Sequence, residues 1–263
     1  MKLKIFSAAA AVVIGILIIV MIGNGGKKEK ADQTDVSEAE TTEWVLPLYT
    51  DAPGTEASAD YSDAVWHFEN ESTEYNCENV RLISKSVDVP VVENYPSVNE
   101  KLRLFCSGII KIDSFEKAEA EDGYRFSPDA YLAETTVCET AVFVHGEYIS
   151  VLIKSFTTGN GAGTAVTFHS TVISLKSGNE TTLSDFLGCR REDIDSYVFS
   201  VLSDLFASSD AFFPDAAEMI DGIVKAPPFY LNEQGAVLFI SPGIVSPAAF
   251  GTVEIVLPYE MFG

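Results

Sequence analysis

The 263-residue chain is strongly acidic, with 39 Asp and Glu residues against 17 Lys and Arg residues. Five of the basic residues lie within the first 30 positions, so residues 31–263 carry 12 basic and 38 acidic side chains. A field of this sign repels phosphate, which argues against nucleic acid as a partner. It favours a cationic protein or divalent cations, or it serves only to keep a solvated surface soluble. The hydrophobic content of 47% is enough for one sizeable domain or two small ones.

The N-terminus has the pattern of a membrane anchor. Residues 5–22 form an uncharged run of 18 positions, which is long enough to cross a bilayer core as a helix. Lys2 and Lys4 precede it, as expected on the cytoplasmic side. We therefore predict that residues 1–26 are a short cytoplasmic stub and a single transmembrane anchor, with the C-terminal domain outside the cytoplasm. A cleaved signal peptide is the alternative, because Gly23 and Gly25 are small enough for a peptidase site.

Residues 27–64 have the composition of an acidic linker. Asp, Glu, Thr, Ser and Ala dominate, so the segment has little to bury and is predicted to be a disordered spacer. The run Trp44-Val-Leu-Pro-Leu-Tyr49 interrupts it. This apolar segment is expected to dock on the domain, with a membrane or partner surface as the alternative.

The domain is predicted to span residues 65–263 and to begin with a strand and a helix. Apolar residues alternate through 81–89 and stop at Pro90, which indicates a strand. Ser97 followed by Glu100 is a capping-box pattern for a helix. Its apolar residues recur at helical spacing: Val98, Leu102, Phe105, Cys106 and Ile109.

A hairpin around a glycine-rich bend is predicted to lie centrally in the sheet. Residues 130–144 and 148–156 read as strands joined by a turn at 145–147, and residues 164–175 read as the next strand. The bend between them, residues 157–163, is a tight turn whose glycines give backbone freedom, or a loop that contacts a ligand or partner. The candidate partner-contacting residues are Thr157, Thr158, Gly159, Asn160 and Gly161.

The C-terminal half alternates helices with short strands. Apolar spacing predicts a helix over 194–206 and a second one over 215–224, which Pro227 and Pro228 end. A hairpin follows with strands at 229–231 and 236–240, and residues 252–257 supply a last strand. These elements predict the α+β class: a mostly antiparallel sheet with helices packed on it.

Several short motifs resemble a known extracytoplasmic module in their order. They are Tyr95-Pro96, the bend at 157–163, Leu175-Lys-Ser-Gly178 with Leu183-Ser-Asp-Phe186, Phe229-Tyr-Leu before Gly235-Ala-Val, and Ser246-Pro-Ala-Ala-Phe-Gly251 before Leu257-Pro-Tyr259. Residues 78–260 resemble the domain shared by RsiV-type bacterial anti-sigma factors and the N-terminal part of PdaC-type peptidoglycan deacetylases. The resemblance implies an α+β module outside the cell, and in the anti-sigma factors this module binds lysozyme.

The chain departs from that family at three points. The family's bend ends in a histidine, whereas Gly163 stands at the matching position here. Only residues 1–4 precede the predicted span, so a sigma-binding segment is not expected. The last predicted strand lies close to Gly263, so a deacetylase domain is not expected either. The resemblance therefore implies the module without the two activities.

No residue pattern in the sequence defines an active site. His67, His145 and His169 are scattered, and neither a His-Glu-x-x-His nor a Cys-x-x-Cys spacing occurs. The glycines at 157–163 lack the Gly-Lys-Ser/Thr of a phosphate loop. We assign no catalytic, cofactor-binding or metal-binding residue. The four cysteines, Cys77, Cys106, Cys138 and Cys189, leave one disulfide as an open alternative with unassigned partners.

The sequence therefore predicts a membrane-anchored, extracytoplasmic binding or sensing module. Its expected ligand is a cationic protein such as lysozyme, or a peptidoglycan fragment. The alternative is a cell-wall-active hydrolase or deacetylase-like enzyme that uses an unrecognised carboxylate site. Adjacent acids such as Glu121 and Asp122 are too common in so acidic a chain to decide between the two.

Overall fold

A computed structural model describes residues 61, 64–159, 162–209, 211–225 and 227–259. The predicted anchor and nearly all of the predicted linker lie outside these residues. Within the described part of the chain, no helix has the length and apolar character needed to cross a membrane.

The larger of two sheets has five strands in chain order. They are β1 (Trp66–Cys77), β2 (Val80–Val92), β3 (Glu134–His145), β4 (Tyr148–Gly159) and β5 (Ala162–Ser174). The pairs β1–β2, β3–β4 and β4–β5 are antiparallel, whereas β2 and β3 run parallel. Parallel neighbours need a crossover connection, and two helices provide it: α1 (Pro96–Ile109) and α2 (Ser114–Phe126).

The smaller sheet has three antiparallel strands, and three helices precede it. The strands are β6 (Phe229–Leu231), β7 (Gly235–Ile240) and β8 (Val253–Pro258). The helices are α3 (Leu183–Leu187), α4 (Arg191–Ala207) and α5 (Ala216–Lys225). The predicted α+β class is confirmed, but the described residues form two sheets, and the larger one is mixed because of its parallel β2–β3 pair.

Helix α1 covers one face of the larger sheet. Val98, Leu102 and Cys106 of the predicted apolar stripe are fully buried, and they pack in one cluster with Val151 and Ile153 of β4. This confirms the helix and its buried face. Burial of this stripe is the main reason that the helix is stable in its place.

The predicted cap of α1 is wrong, and the capping box belongs to another helix. Tyr95 is the N-cap residue of α1 and makes no side-chain cap, because Pro96 already occupies the first helical position and Ser97 lies inside the helix. Asp113 and Glu116 form the reciprocal capping box at the start of α2. That helix was not predicted, since Ala120 is its one buried residue and nearly half of its 13 residues are charged.

The second face of the larger sheet is covered in part by the smaller sheet. Ser150 Oγ on β4 accepts a hydrogen bond from the backbone N–H of Leu231 on β6, at 2.8 Å. Phe143 and Val172 on this face join the apolar cluster that also holds β6–β8, α4 and α5. The smaller sheet therefore lies against the β3–β5 part of the larger one.

A buried ion pair joins α2 to the sheet. Lys85 on β2 is 7% exposed, and its ammonium donates to the Glu116 carboxylate and to the backbone carbonyl of Lys111. A charge at this depth requires its partner, because desolvation is otherwise uncompensated. The pair thus fixes where α2 lies on the sheet.

Substituting Glu116→Gln should lower the free energy of unfolding by about 2 kcal/mol. Breaking a buried pair costs about 3–5 kcal/mol, and the partial exposure of Glu116 reduces this. Glutamine keeps the acceptor that the capping box needs. Adding Lys85→Met should recover most of the loss, which urea denaturation of the two variants and the native protein can measure. Equal stability of the single variant and the native protein would contradict the role given to the pair.

Candidate binding surface

The predicted glycine-rich loop is mostly strand. Thr157, Thr158 and Gly159 are the last residues of β4, and Gly159 faces Ala162 across the β4–β5 ladder. Asn160 and Gly161 lie outside the described residues. The predicted loop was too long: β4 continues to Gly159 and β5 begins at Ala162. Gly159 is needed where β4 passes close to the backbone of Glu134, and the sequence pattern read this glycine as part of a turn instead. Its φ is +151°, and a Cβ there would lie 2.8 Å from the Cα of Glu134.

Three connections meet at the end of the larger sheet where this hairpin lies. They are the β1–β2 turn at 78–79, the segment 127–133 that leads into β3, and the β4–β5 hairpin tip. Tyr131 in the second connection donates a hydrogen bond from its hydroxyl to the carbonyl of Leu82, at 3.3 Å. We call this end of the sheet, formed by residues 78–79, 126–135, 157–159 and 162, the hairpin end.

Paired threonines stiffen the hairpin end. Thr135 faces Thr158 and Thr136 faces Thr157 across β3 and β4. The hydroxyls of Thr136 and Thr157 are 2.9 Å apart, and Thr136 is buried. The exposed hydroxyl of Thr158 donates to the carbonyl of Thr135 at 3.5 Å. Thr157 and Thr158 at the end of β4 are therefore held by cross-strand pairs of β-branched residues, which limit their movement.

Large apolar side chains are exposed at the hairpin end among carboxylates. Phe126, the last residue of α2, is 93% exposed, and Leu132 is 61% exposed. Asp122 near the end of α2 and Asp129 just beyond it are also exposed. Exposed aromatic and aliphatic groups with a charged rim are typical of a protein-binding surface. The threonines and Gly159 were predicted from the sequence, whereas Phe126 and Leu132 were missed because neither follows a periodic pattern.

The three histidines do not converge on one site. His67 lies 3.7 Å from the Glu69 carboxylate on the edge strand β1. His145 stacks on Tyr259 with a centroid distance of 3.8 Å, and burial lowers its pKa. Burial also lowers the pKa of His169 on β5. In the part of the chain that the structure describes, no three His, Cys, Asp or Glu side chains form a group able to hold a metal ion.

The four cysteines are free thiols in the structure. Burial raises the pKa of Cys106 to about 12 and raises that of Cys138, so both stay protonated and poorly nucleophilic at neutral pH. Cys77 and Cys189 pack in different apolar clusters. None of the four cysteines forms a disulfide in the structure, so the one disulfide that the sequence left open is not seen.

One cavity in the described part of the chain is mostly apolar. It measures about 550 Å³ between α4 and α5, and Phe199, Phe206 and Phe212 are among the residues that line it. None of its lining residues within the described chain carries an ionisable side chain. Another cavity, of about 270 Å³, includes Arg191 and Lys225 in its lining. Arg191 is already engaged there, since it donates to the carbonyl of Lys225.

One carboxyl group with a shifted pKa was not identified from the sequence. Burial raises the pKa of Glu254 on β8, and the hydrogen bond from the Tyr230 hydroxyl, at 3.2 Å, opposes that rise. Burial also raises the pKa of Tyr230, so the phenol stays a donor. Tyr230 lies beside Phe239, which in turn contacts Phe168 of the larger sheet. Glu254 is therefore a partly buried group of the sheet–sheet contact.

These features define an α+β domain of two sheets with one end rich in exposed apolar groups. No protein-family model matches the chain, and no curated protein matches its sequence. Solved structures with a similar fold include a DUF3298 family protein from Bacteroides fragilis, with a TM-score of 0.51 and 18% identity over 76% of this chain and 92% of that one.

A DUF3298 family protein from Pseudomonas aeruginosa is also similar, with a TM-score of 0.44 and 12% identity over 75% of this chain and 92% of that one. At these identities the likeness concerns the fold alone, and we base it on the Bacteroides protein. The fold therefore resembles that of a DUF3298 family protein, which fits a module of the kind that the sequence resembles.

Glu254→Gln should raise the free energy of unfolding at pH values above the raised pKa of Glu254 and leave it unchanged below pH 4.5. Because the pKa of Glu254 is raised when folded, the native state keeps a proton that the unfolded chain loses near the ordinary value of 4.5. Native stability then falls as the pH rises from 4.5 to the raised pKa. Glutamine removes this dependence and still accepts from Tyr230. Denaturation midpoints of both proteins across this range test the sign, and parallel pH profiles would contradict it.

Gly159→Ala should destabilise the fold by about 2 kcal/mol or more, because a side chain at this φ is strained and meets the backbone of Glu134. Gly108→Ala is the matched control. Gly108 lies in α1, and apart from its chain neighbours and the backbone of its own helix no atom comes within 4 Å of where its Cβ would lie, so alanine there should raise stability by about 0.5 kcal/mol. Thermal unfolding of both variants gives the comparison, and a neutral Gly159→Ala would refute the close approach.

Proposed function

We propose that this protein is an extracytoplasmic binding module that uses the hairpin end to contact a cationic protein, with a lysozyme-like protein as the expected partner. The observation that carries the proposal is the pairing of exposed apolar side chains, Phe126 and Leu132, with carboxylates at one end of a stiff sheet. We further propose that residues 5–22 anchor the module in the cell membrane and that it is of the kind shared by RsiV-type and PdaC-type proteins.

The two kinds of side chain have different parts in such an interface. Residues 31–263 carry 38 acidic against 12 basic side chains, and this excess steers a basic protein towards the surface. Affinity after encounter comes from the apolar groups, since burying a Phe or Leu side chain stabilises a complex by about 1.5–3 kcal/mol. The threonine ladder holds the last residues of β4, Thr157 and Thr158, against β3, so these residues gain little order on binding.

The charges at the hairpin end favour a basic partner over an acidic one. Arg125 is the one basic residue of α2 near its C-terminal end, and it pairs with Glu121 at 2.8 Å and with Asp122 at 3.7 Å. Asp129 and Glu134 follow on the connection into β3. A cationic protein would gain mainly from the carboxylates of Asp129 and Glu134, because those of Glu121 and Asp122 already pair with Arg125. A peptidoglycan fragment is the second ligand of this binding class and would rest mainly on the hydroxyls and Phe126.

Binding of hen-type lysozyme to the purified protein tests the proposal. We expect stoichiometric binding whose affinity falls steeply between low and high salt, because exposed charges are screened at a Debye length of about 8 Å in 0.15 M salt. Phe126→Ala with Leu132→Ala should weaken binding at least about tenfold, in line with the loss of one or two buried apolar groups.

Phe115→Ala is the matched control for the apolar contact. Phe115 is 67% exposed at the opposite end of the same helix, so its loss should leave lysozyme binding unchanged. Equal losses in both variants, or tight binding that salt does not affect, would contradict the proposed surface. Release of muropeptides from peptidoglycan, abolished by a single carboxylate substitution, would replace a binding function with the enzymatic alternative.

A further inference from the structure

The larger sheet has a second uncovered region besides its hairpin end. The smaller sheet covers the β4–β5 side of the face opposite α1, where Ser150 binds Leu231 and the Phe168 ring lies 6.1 Å from that of Phe239. The rest of this face, which we call the open face, is formed by the outward side chains of β1 and β2, by those of β3 before Phe143 and by those of β4 that follow Ser150 in the chain.

Apolar side chains of the open face are exposed even on the middle strand. Val137 on β3 is 50% exposed, Phe68 on β1 is 47% exposed, and Trp66 is 36% exposed. The register places these residues on one side of the sheet, since Phe68 pairs with Pro90 and Val137 pairs with Ser86. A middle strand with neighbours on both sides normally buries such residues, so the open face lacks a covering segment.

Charged side chains of both signs lie on the open face, including Glu139 on β3, Lys154 on β4 and the exposed Asp88 on β2. Glu139 and Lys154 are register partners on β3 and β4. The Lys154 ammonium lies 4.7 Å from the centroid of Phe156 and 5.8 Å from that of Phe168. Since the Lys154 ammonium is held over these two rings, the exposed apolar side chains Trp66, Phe68 and Val137 are the part of this surface that an uncharged apolar segment would cover.

We propose that residues 44–49 of this same chain, Trp-Val-Leu-Pro-Leu-Tyr, dock on the open face. The run carries no charge, and it is the longest apolar run between Lys27 and Ala64. Pro47 in its middle disfavours a helix and favours an extended segment. Six extended residues span about 20 Å, which is the distance along a strand from the row of Trp66 to that of Val137.

The length of the connecting chain fits this placement. Tyr61 already packs against the domain, with its ring 6.4 Å from that of Tyr95 just beyond β2. Tyr49 and Tyr61 are twelve residues apart in the sequence, and a random-coil linker of roughly twelve residues has a root-mean-square length of about 19 Å. The row of Val137 lies about 20 Å from that end of β2 along the strand direction. Effective concentration is highest when these two lengths agree, so docking within one chain outcompetes a second copy at ordinary concentrations.

Fluorescence of the two tryptophans provides the test, because Trp44 and Trp66 are the only ones in the chain. In the full chain in detergent micelles, Trp66→Phe leaves Trp44 as the sole tryptophan. We expect its emission to be shifted to the blue relative to the unfolded chain. Acrylamide should quench it several-fold less than free tryptophan, at all protein concentrations.

A charge placed on the open face should release the segment. In the Trp66→Phe background, Val137→Glu should shift the Trp44 emission to the red and raise its acrylamide quenching several-fold. Ile244→Glu is the matched control, since Ile244 is 48% exposed outside both sheets and should change neither signal. Ala141→Glu on the same face, where the native residue is exposed, replaces Val137→Glu if that variant loses its circular dichroism signal.

Each other occupant of the open face gives a different result. A blue-shifted Trp44 that neither Val137→Glu nor Ala141→Glu affects would mean that the segment enters the micelle, and it would overturn the proposal. Emission that shifts to the red on dilution would assign the contact to a second copy and would also overturn it. Emission from Trp44 that matches the unfolded chain would leave the open face to an external partner and would equally refute docking within the chain.

Discussion

The unequal covering of the two faces of the five-stranded sheet is the constraint on which the rest of the structure depends. One face is sealed by α1, whose Val98, Leu102 and Cys106 are fully buried against β4. The other face is shared between the smaller sheet and solvent. This arrangement follows from the parallel β2–β3 pair, because the crossover that joins those strands places α1 on one side only.

The crossover also determines what lies at the hairpin end. Its second half, α2, is held by the buried pair of Lys85 and Glu116, and it ends at Phe126 close to where β3 begins. The exposed Phe126 and Leu132 are thus presented by a segment that is fixed at one side by an ion pair and at the other by β-sheet pairing. An interface built on such a fixed segment loses little conformational entropy when a partner binds.

Local patterns predicted the elements that bury a regular apolar stripe, and they failed where tertiary contacts decide. The helix α4 was predicted because Ile194, Val198 and Leu202 recur at helical spacing, and all three are buried. The charged helix α2 and the polar edge strand β1 have weak periodicity, so they went unpredicted. Position 159 requires glycine because the backbone of Glu134 passes close to it. Glu134 is distant in sequence, so no local rule can reveal this contact.

Hydrogen–deuterium exchange of the protein with and without lysozyme measures the central claim most directly. A binding module that uses the hairpin end should show slower exchange on lysozyme addition in residues 126–135, 157–159 and 162. Exchange in α4 and α5 should stay unchanged, since these helices pack with the smaller sheet, away from the hairpin end. Protection confined to α4 and α5, or no change anywhere at saturating lysozyme, would contradict the account.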